Sequence, residues 1–217
     1  MPKKKKAGKM CPPIDMTPFV DTLCVVLTFL MLTAQMRQPE PVTVETPFST
    51  SERLIPDYNL MVFLLAQDGK IFMNIDNGHD TLLKFRPRTL EAMGEFYGIE
   101  FTEDQLRAFE TFPSSIGVDI NQMRAFLDQV GSNSPDMSLI QRLQAGIPTD
   151  SADNQLSMWI LAARQVNPGL SAAIRGDNDT RFEDVERLLD ILQDRNVNRF
   201  NLITSLYATS INLDDID

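Results

Sequence analysis

The chain has 217 residues, 43% of them hydrophobic, and a formal net charge of −10 at pH 7. This length and composition suit one anchor and one globular domain with a packed core. The acidic balance argues against nucleic acid as a partner, because phosphates would be repelled over most of the surface. The first ten residues are the exception, with five lysines and no acidic residue.

Residues 1–16 are interpreted as a basic cytoplasmic N-terminus, since lysines beside an apolar run mark its cytoplasmic side. Residues 17–37, which begin "TPFVDTLCVVLTFLMLTA", are predicted to form a single transmembrane helix. Nineteen of them would span about 28 Å, enough for the hydrocarbon core. A cleaved signal peptide is disfavoured, because Asp21 interrupts the apolar run and Leu32 stands where a cleavage site needs a small residue.

The predicted helix has a polar face. Pro18 suits its first turn, where the missing N–H costs nothing. Small or polar residues then recur at steps of three and four, within about 40° of one direction, at Thr17, Asp21, Cys24, Thr28, Met31 and Gln35. A carboxylate in a membrane helix costs about 2.5 to 3.5 kcal/mol on insertion scales, so it usually has a function. Such a face predicts neighbouring helices or a water-filled path, unless Asp21 only reaches back to the cytoplasmic interface.

The stretch "PPIDMTPFVDTLCVVLTFLMLTA" closely resembles the signature of the ExbD/TolR family, in which a threonine, a proline and an early intramembrane aspartate open one hydrophobic helix. In that family the aspartate that matches Asp21 carries the ion of a motor driven by the proton motive force. The resemblance therefore implies that Asp21 is a proton carrier, with Thr17, Thr28 and Gln35 supporting its hydration or packing. A carboxylate whose surroundings change can take up a proton on one side and release it on the other.

The same resemblance implies the partners and the location. It implies a homodimer of this chain inside a pentamer of a polytopic ExbB- or TolQ-like protein, acting on a TonB-type transducer. The protein would lie in the inner membrane of a Gram-negative bacterium, with its C-terminal domain in the periplasm. A TolR-like role in envelope integrity, with a TolA-type partner, remains open. So do a passively anchored periplasmic binding module and sodium as the coupling ion.

The motifs of the common enzyme classes do not occur. The sequence has no GxSxG, P-loop or HExxH motif and no CxxC pair. The single histidine, His79, lies in the turn-like "DNGHD" and is interpreted as solvated. The carboxylates of Asp76, Asp119, Asp150 and Asp153 are interpreted as solvated surface groups of an acidic domain. Neither enzyme activity nor a metal or other cofactor is therefore expected.

Residues 38–57 contain four prolines and are predicted to be an extended, largely unpacked linker, in which "VTVETP" alternates like a short strand. Residues 58–217 are predicted to form an α+β periplasmic domain, a small mixed sheet with packed helices. Its hairpin is "NLMVFLLA" and "KIFMNI" around Asp68 and Gly69. Residues 79–154 are predicted to be a helical insertion, either a packed elaboration or a partner-binding surface.

Two capping boxes are predicted, Thr102 with Gln105 ahead of "EDQLRAFETF" and Thr180 with Glu183 in the last helix. A second helix of the insertion is predicted over "INQMRAFLDQV". After the insertion the pattern predicts a helix over "LSMWILAARQVNP", a strand over "SAAIRGD", the helix "FEDVERLLDILQDRN" and a final strand over "RFNLITSLYAT".

Overall fold

The computed structural model describes residues 15–33, 40–50, 59–76, 84–132, 134–150 and 153–206. It divides into two compact units, residues 1–38 and 39–217. In the first unit the helix is α1 (Thr17–Thr33). The second unit contains, in chain order, β1 (Phe48–Ser49), β2 (Leu60–Leu65), β3 (Ile71–Asp76), α2 (Phe85–Tyr97), α3 (Glu103–Thr111), a 3-10 turn (Ile120–Gln122), α4 (Met123–Val130), α5 (Met137–Leu143), α6 (Gln155–Val166), β4 (Ser171–Gly176), α7 (Phe182–Asp194), β5 (Phe200–Leu202) and β6 (Ser205–Leu206).

The predicted hairpin is confirmed, because β2 and β3 pair antiparallel along their whole lengths. Its turn contains Gly69 at φ 77°, a left-handed conformation that glycine adopts at little cost. The Ala66 N–H donates to the carbonyl of Lys70 at 3.0 Å and closes the turn.

The central sheet has four strands in the order β3-β2-β4-β5. The β2–β4 and β4–β5 pairs are parallel, while β2–β3 is antiparallel. Parallel neighbours need a crossover connection, which α2 to α6 provide between β3 and β4 and α7 provides between β4 and β5. The predicted α+β class with a small mixed sheet and packed helices is confirmed.

One face of the sheet carries the main core. Side chains alternate along a strand, so Met61, Phe63 and Leu65 of β2 share the face that the helices cover. Helices α2 to α7 all contribute to this core, through residues that include Leu90, Met93, Phe109, Phe126, Ile140, Trp159, Leu188 and Leu192. The insertion is therefore part of the same core as the rest of the domain.

The helical patterns predicted inside the insertion are confirmed. Helix α3 begins with the predicted capping box: the Gln105 N–H donates to the Thr102 hydroxyl at 3.3 Å, and the Thr102 N–H donates to the Gln105 side chain at 3.1 Å. The second predicted helix is present as the 3-10 turn followed by α4. Such a reciprocal box satisfies two backbone donors that a helix start leaves free.

The prediction of a largely unpacked linker over 38–57 is wrong for its described part. Residues 40–49, here called the strap, lie on the second face of the sheet. Val44 is only 6% exposed and, with Val42, packs against Leu64, Ala66 and Phe72. Apolar side chains on both faces of β2 and β3 need a cover on both faces. The strap provides the second one.

The strand predicted over "VTVETP" is also misplaced. Residues 43–47 are not a strand, and β1 follows Pro47. Within the strap, the Glu45 N–H donates to the Asp177 carboxylate at 3.0 Å, and the Glu45 carbonyl accepts from the Asn178 N–H at 2.8 Å. These bonds to the loop after β4 replace a strand ladder.

The capping box predicted for Thr180 and Glu183 is wrong. Helix α7 begins at Phe182 with Arg181 at its cap, and no side chain caps it. The Thr180 N–H donates to the carbonyl of Asp177 at 3.2 Å in the preceding turn. That turn moves the helix start by one residue, so the threonine lies just outside capping position.

The final strand, predicted as one element over "RFNLITSLYAT", is divided in two. Strand β5 pairs with β4, whereas β6 pairs parallel with β1 of the strap. The chain thus changes partner at Ile203 and Thr204, and residues 207–209 of the predicted strand lie outside the described residues.

Candidate functional site

Helix α1 begins at a local hydrogen-bond motif. The Asp15 carboxylate accepts from the Thr17 N–H at 3.0 Å and from the Thr17 hydroxyl at 2.6 Å. These two bonds, the hydroxyl bond being the stronger cause, lower the pKa of Asp15. A negative charge at a helix N-terminus is also favoured by the helix dipole. Asp15 therefore stays ionised while it fixes the start of the helix.

The polar face predicted from the sequence falls on α1. Thr17, Asp21, Cys24 and Thr28 lie within one helix of 17 residues. At 100° per residue they lie on one side of the helix, with successive members about one turn apart. Gln35, the last predicted member of this face, lies outside the described residues. Pro18 occupies the first turn, the place in which its missing N–H is tolerated.

The threonine hydroxyls of α1 donate to the backbone. Thr28 donates to the carbonyl of Cys24 at 3.0 Å and that of Val25 at 2.9 Å, and Thr22 donates to that of Pro18 at 2.6 Å. Each hydroxyl has used its single proton this way, and its oxygen can still accept a bond. Thr17 donates to Asp15 instead. None of these hydroxyls donates to the Asp21 carboxylate. No other group among the described residues donates to it either.

Every described side chain of α1 is exposed, including large apolar ones such as Phe19, Leu27 and Phe29 at 62%, 64% and 63%. An apolar surface of this kind in a soluble protein would mark an interaction site or a membrane contact.

Across the part of the chain that the structure describes, no helix has both the length and the apolar character needed to cross a membrane.

The domain carries a second cluster of carboxylates. Gln155, which is 1% exposed, donates from Nε2 to Asp119 at 3.1 Å and to Asp153 at 2.9 Å. The Tyr97 hydroxyl donates to Asp153 at 2.6 Å, and burial together with this bond raises the pKa of Tyr97. Asp153 is exposed, in line with its interpretation as a surface group, and Asp119 is half-buried. Both carboxylates also accept hydrogen bonds at the start of α6, which the sequence did not predict.

This cluster ties the insertion to the rest of the domain. The Ile120 N–H donates to the side-chain carbonyl of Gln155 at 2.9 Å, so this buried amide links the 3-10 turn to α6. Asp153, which accepts from both Gln155 and Tyr97, connects the same network to α2. The described residues contain no group of His, Cys, Asp and Glu placed to hold a metal ion. His79 lies outside the described residues, and Asp150 is exposed. The cluster has the contacts of a structural junction.

Sequence reasoning missed Asp15 and the strap. The signal for Asp15 was available, since an aspartate two residues before a threonine and a proline is typical of a helix start. The strap had no such signal, because Val42 and Val44 are only two apolar residues among prolines and polar residues. Their burial depends on the apolar second face of the sheet, which exists only in the folded domain.

A sequence model of the family described as "Biopolymer transport protein ExbD/TolR" matches residues 8–206. The match includes α1, the strap, the insertion and all the strands. No curated protein matches the chain. No solved structure matches it either.

Proposed function

Since the chain belongs to the ExbD/TolR family, we propose that it is the ExbD-like subunit of an inner-membrane motor. The motor would use the proton motive force to energise a TonB-type transducer for outer-membrane transport. The family consists of membrane-anchored envelope proteins that serve biopolymer transport. In this proposal residues 17–37 form the membrane anchor, with the N-terminus in the cytoplasm and the domain in the periplasm of a Gram-negative bacterium.

The observation that carries the proposal is the position of Asp21 in α1. It lies one turn inside an apolar helix, and no described side chain donates a hydrogen bond to it. A carboxylate is an expensive residue for such a helix, and ionisable residues in membrane helices generally mark ion pathways. Asp21 is the proposed proton carrier for that reason.

The chemistry is one reversible protonation at a carboxylate oxygen of Asp21. Carboxylates in general exchange a proton when their surroundings change between water and apolar groups, so a helix that turns between the two would take up and release one. The free lone pairs of Thr17 and Thr28 can accept bonds from water along the same face, and Gln35 would extend it. Each proton that crosses the membrane supplies about 2.3 kcal/mol per 100 mV, which can drive one helix past another.

One helix cannot enclose a proton path, so partners are part of the proposal. A ring of five polytopic ExbB- or TolQ-like subunits would surround the anchors of a homodimer of this chain. The acidic domain would contact the transducer. An exposed sheet edge suits such a contact, since an extended segment can add a strand there.

The family description covers TolR as well as ExbD, so a TolR-like subunit of a TolQ and TolA motor is the alternative. Both versions give α1 and Asp21 the same role. They differ in the transducer that the domain contacts.

Purification from native membranes in mild detergent, followed by mass spectrometry, tests the assembly. The expected result is a polytopic ExbB- or TolQ-like protein in excess over this chain, with a TonB-type transducer recovered after gentle cross-linking. Recovery of a TolA-type protein instead would select the TolR-like version. A chain recovered without any polytopic protein under both conditions would refute the motor and leave a passively anchored binding module.

A further inference from the structure

The insertion forms most of the wall of an open groove on the domain. The groove has a volume of about 390 Å³ and lies where the end of α3, α4 and α5 meet the start of the strap. Its ten lining residues include apolar side chains of the insertion at Phe112, Val130, Met137 and Ile140, and none of the ten is basic. The volume falls within the range of ligand pockets, about 300 to 1,000 Å³.

The apolar wall of the groove is fixed by the fold. The Phe112 ring meets that of the buried Phe126 edge to face, with centroids 5.3 Å apart and planes at 79°. Ile140 is buried in the main core, against which Phe112 and Val130 also pack. Met137, by contrast, is 57% exposed. The wall is therefore in place before a partner binds, and a partner that covers Met137 removes apolar surface from water.

The groove is rich in hydrogen-bond acceptors. Pro41, Pro113 and Pro135 are three of its ten lining residues, and a proline has a carbonyl but no N–H. The side-chain carbonyl oxygen of Gln144, another lining residue, is buried and accepts no hydrogen bond from the described residues. A buried acceptor without a donor costs free energy, which a donor from a ligand would recover. These features suit a ligand that donates hydrogen bonds.

The rim of the groove carries carboxylates. Asp136, which lies in the chain between two lining residues, accepts from the Ser138 hydroxyl at 2.7 Å, and this bond is the largest cause that lowers the pKa of Asp136. Arg142 contributes to the same shift, and Glu40 pairs with Arg175 at 2.9 Å. The insertion as a whole still has twelve acidic residues against six basic ones. This excess favours a cation at the groove.

We propose that the groove is a docking site for a basic segment of a partner protein, which places a bulky apolar side chain against Met137 and its lysine or arginine side chains toward the acidic rim. The inference goes beyond the proposed function and does not depend on the polytopic ring or the transducer.

Charge and hydrogen bonding select this occupant over a second copy of the chain or a lipid surface. Two copies of a chain with a net charge of −10 repel each other over most of their surfaces, and anionic headgroups repel the chain in the same way. A lysine or arginine side chain instead donates several hydrogen bonds and accepts none, which matches a groove of acceptors. The apolar anchor supplies binding free energy, and the charges orient the segment.

Fluorescence anisotropy of a labelled peptide tests the proposal on the full chain in nanodiscs of neutral lipid. The probe is the peptide Lys-Lys-Leu-Phe-Lys-Lys. One comparison peptide has glutamate in place of lysine, and the other has serine in place of leucine and phenylalanine. Saturable binding of the probe alone, weaker as salt is raised, is the expected result. Equal binding of either comparison peptide, or no saturable binding of the probe at millimolar concentrations, would overturn the proposal.

Variants of the chain locate the bound peptide. Met137→Lys removes the exposed apolar contact and adds a positive charge, so it is expected to weaken binding at least about tenfold. Phe96→Lys is the matched control, because Phe96 of α2 is 39% exposed and does not line the groove. Its affinity should equal that of the unmodified chain. An unchanged affinity in Met137→Lys would place the peptide elsewhere and overturn the proposal.

Gln141 separates charge from packing, because it is an exposed residue of the groove. Gln141→Glu should tighten binding of the probe and Gln141→Lys should weaken it, by roughly two- to fivefold in each direction. Equal affinities of these two variants would refute the role of charge. An apparent Kd that rises with the concentration of the chain would show that a second copy occupies the groove, and would overturn the choice of occupant.

Discussion

Replacing Phe109 by alanine is expected to destabilise the whole domain of residues 39–217 and not only the insertion. Phe109 belongs to α3 of the insertion and is 1% exposed. Its ring stacks on that of Trp159 in α6, with centroids 6.0 Å apart and planes 6° apart. The guanidinium of Arg86 lies 5.4 Å from the centroid of the Phe109 ring. The contact therefore joins the insertion to a helix that packs on the sheet.

The size of the effect follows from the burial. Removing a fully buried phenylalanine ring costs about 3 to 5 kcal/mol, part of it from the cavity that remains. Domains of ordinary size are stable by only about 5 to 15 kcal/mol. With a urea slope of about 2 kcal/mol per molar, a loss of about 4 kcal/mol lowers the midpoint by about 2 M.

The assay is urea unfolding of the full chain in detergent, followed by Trp159 fluorescence and by circular dichroism. Trp159 is the only tryptophan, so its fluorescence reports on the interface between the insertion and α6. Both signals are expected to shift together. Met137→Ala in α5 is the control, because that side chain is 57% exposed and its loss should change the stability by less than about 0.5 kcal/mol.

A loss below about 1 kcal/mol for Phe109→Ala would refute the shared core. Two separate transitions would refute it as well, since they would mean that the insertion unfolds independently of the sheet.

Further expectations concern the caps, the strap and acid. Thr102→Ala should cost about 1 kcal/mol in urea unfolding because it removes a capping box, whereas Thr180→Ala should cost less than about 0.5 kcal/mol because that threonine caps nothing. Val44→Ala should cost about 2 kcal/mol and make the strap more sensitive to proteolysis; equal cleavage of both proteins would contradict its docking. Hydrogen bonds, first of all that from Tyr97, hold the pKa of Asp153 below its usual value. The stability that these bonds add is present above a pH of about 4 and is lost as the pH falls further. In Tyr97→Phe the free energy of unfolding should therefore decrease less steeply below that pH than in the unmodified chain.

Local patterns could be read from the sequence where local chemistry determined the structure. The hairpin follows from two β-rich runs around Asp68 and Gly69, and the capping box follows from Thr102 and Gln105. Each depends on residues within a few positions of one another. Asp21 could be selected as a candidate in the same way, because a carboxylate in an apolar run is visible without any tertiary information, and its role stays a prediction.

The sequence-based predictions failed where contacts between residues distant in the chain determine the local structure. The start of α7 depends on a turn that ends at Thr180, and the burial of Val44 depends on the second face of a sheet formed 20 and more residues later. The sequence left the insertion as either a packed elaboration or a partner-binding surface. Its packing could be located only in the fold, where Phe109 lies in the main core and Ile116 pairs with β3. Amphipathic patterns indicate that a helix has an apolar face but not which element will cover it.

The central claim is that Asp21 carries the proton, and flux in proteoliposomes tests it most directly. The complex purified with its polytopic partner is reconstituted with a pH-sensitive dye inside the vesicles, and a potential is applied. Asp21→Asn keeps the size and polarity of the side chain but cannot ionise, so the complex should assemble and proton flux should fall to that of empty vesicles. Asp15→Asn, the same change just before the helix, should retain flux. Flux equal to that of the unmodified complex in Asp21→Asn would contradict the account.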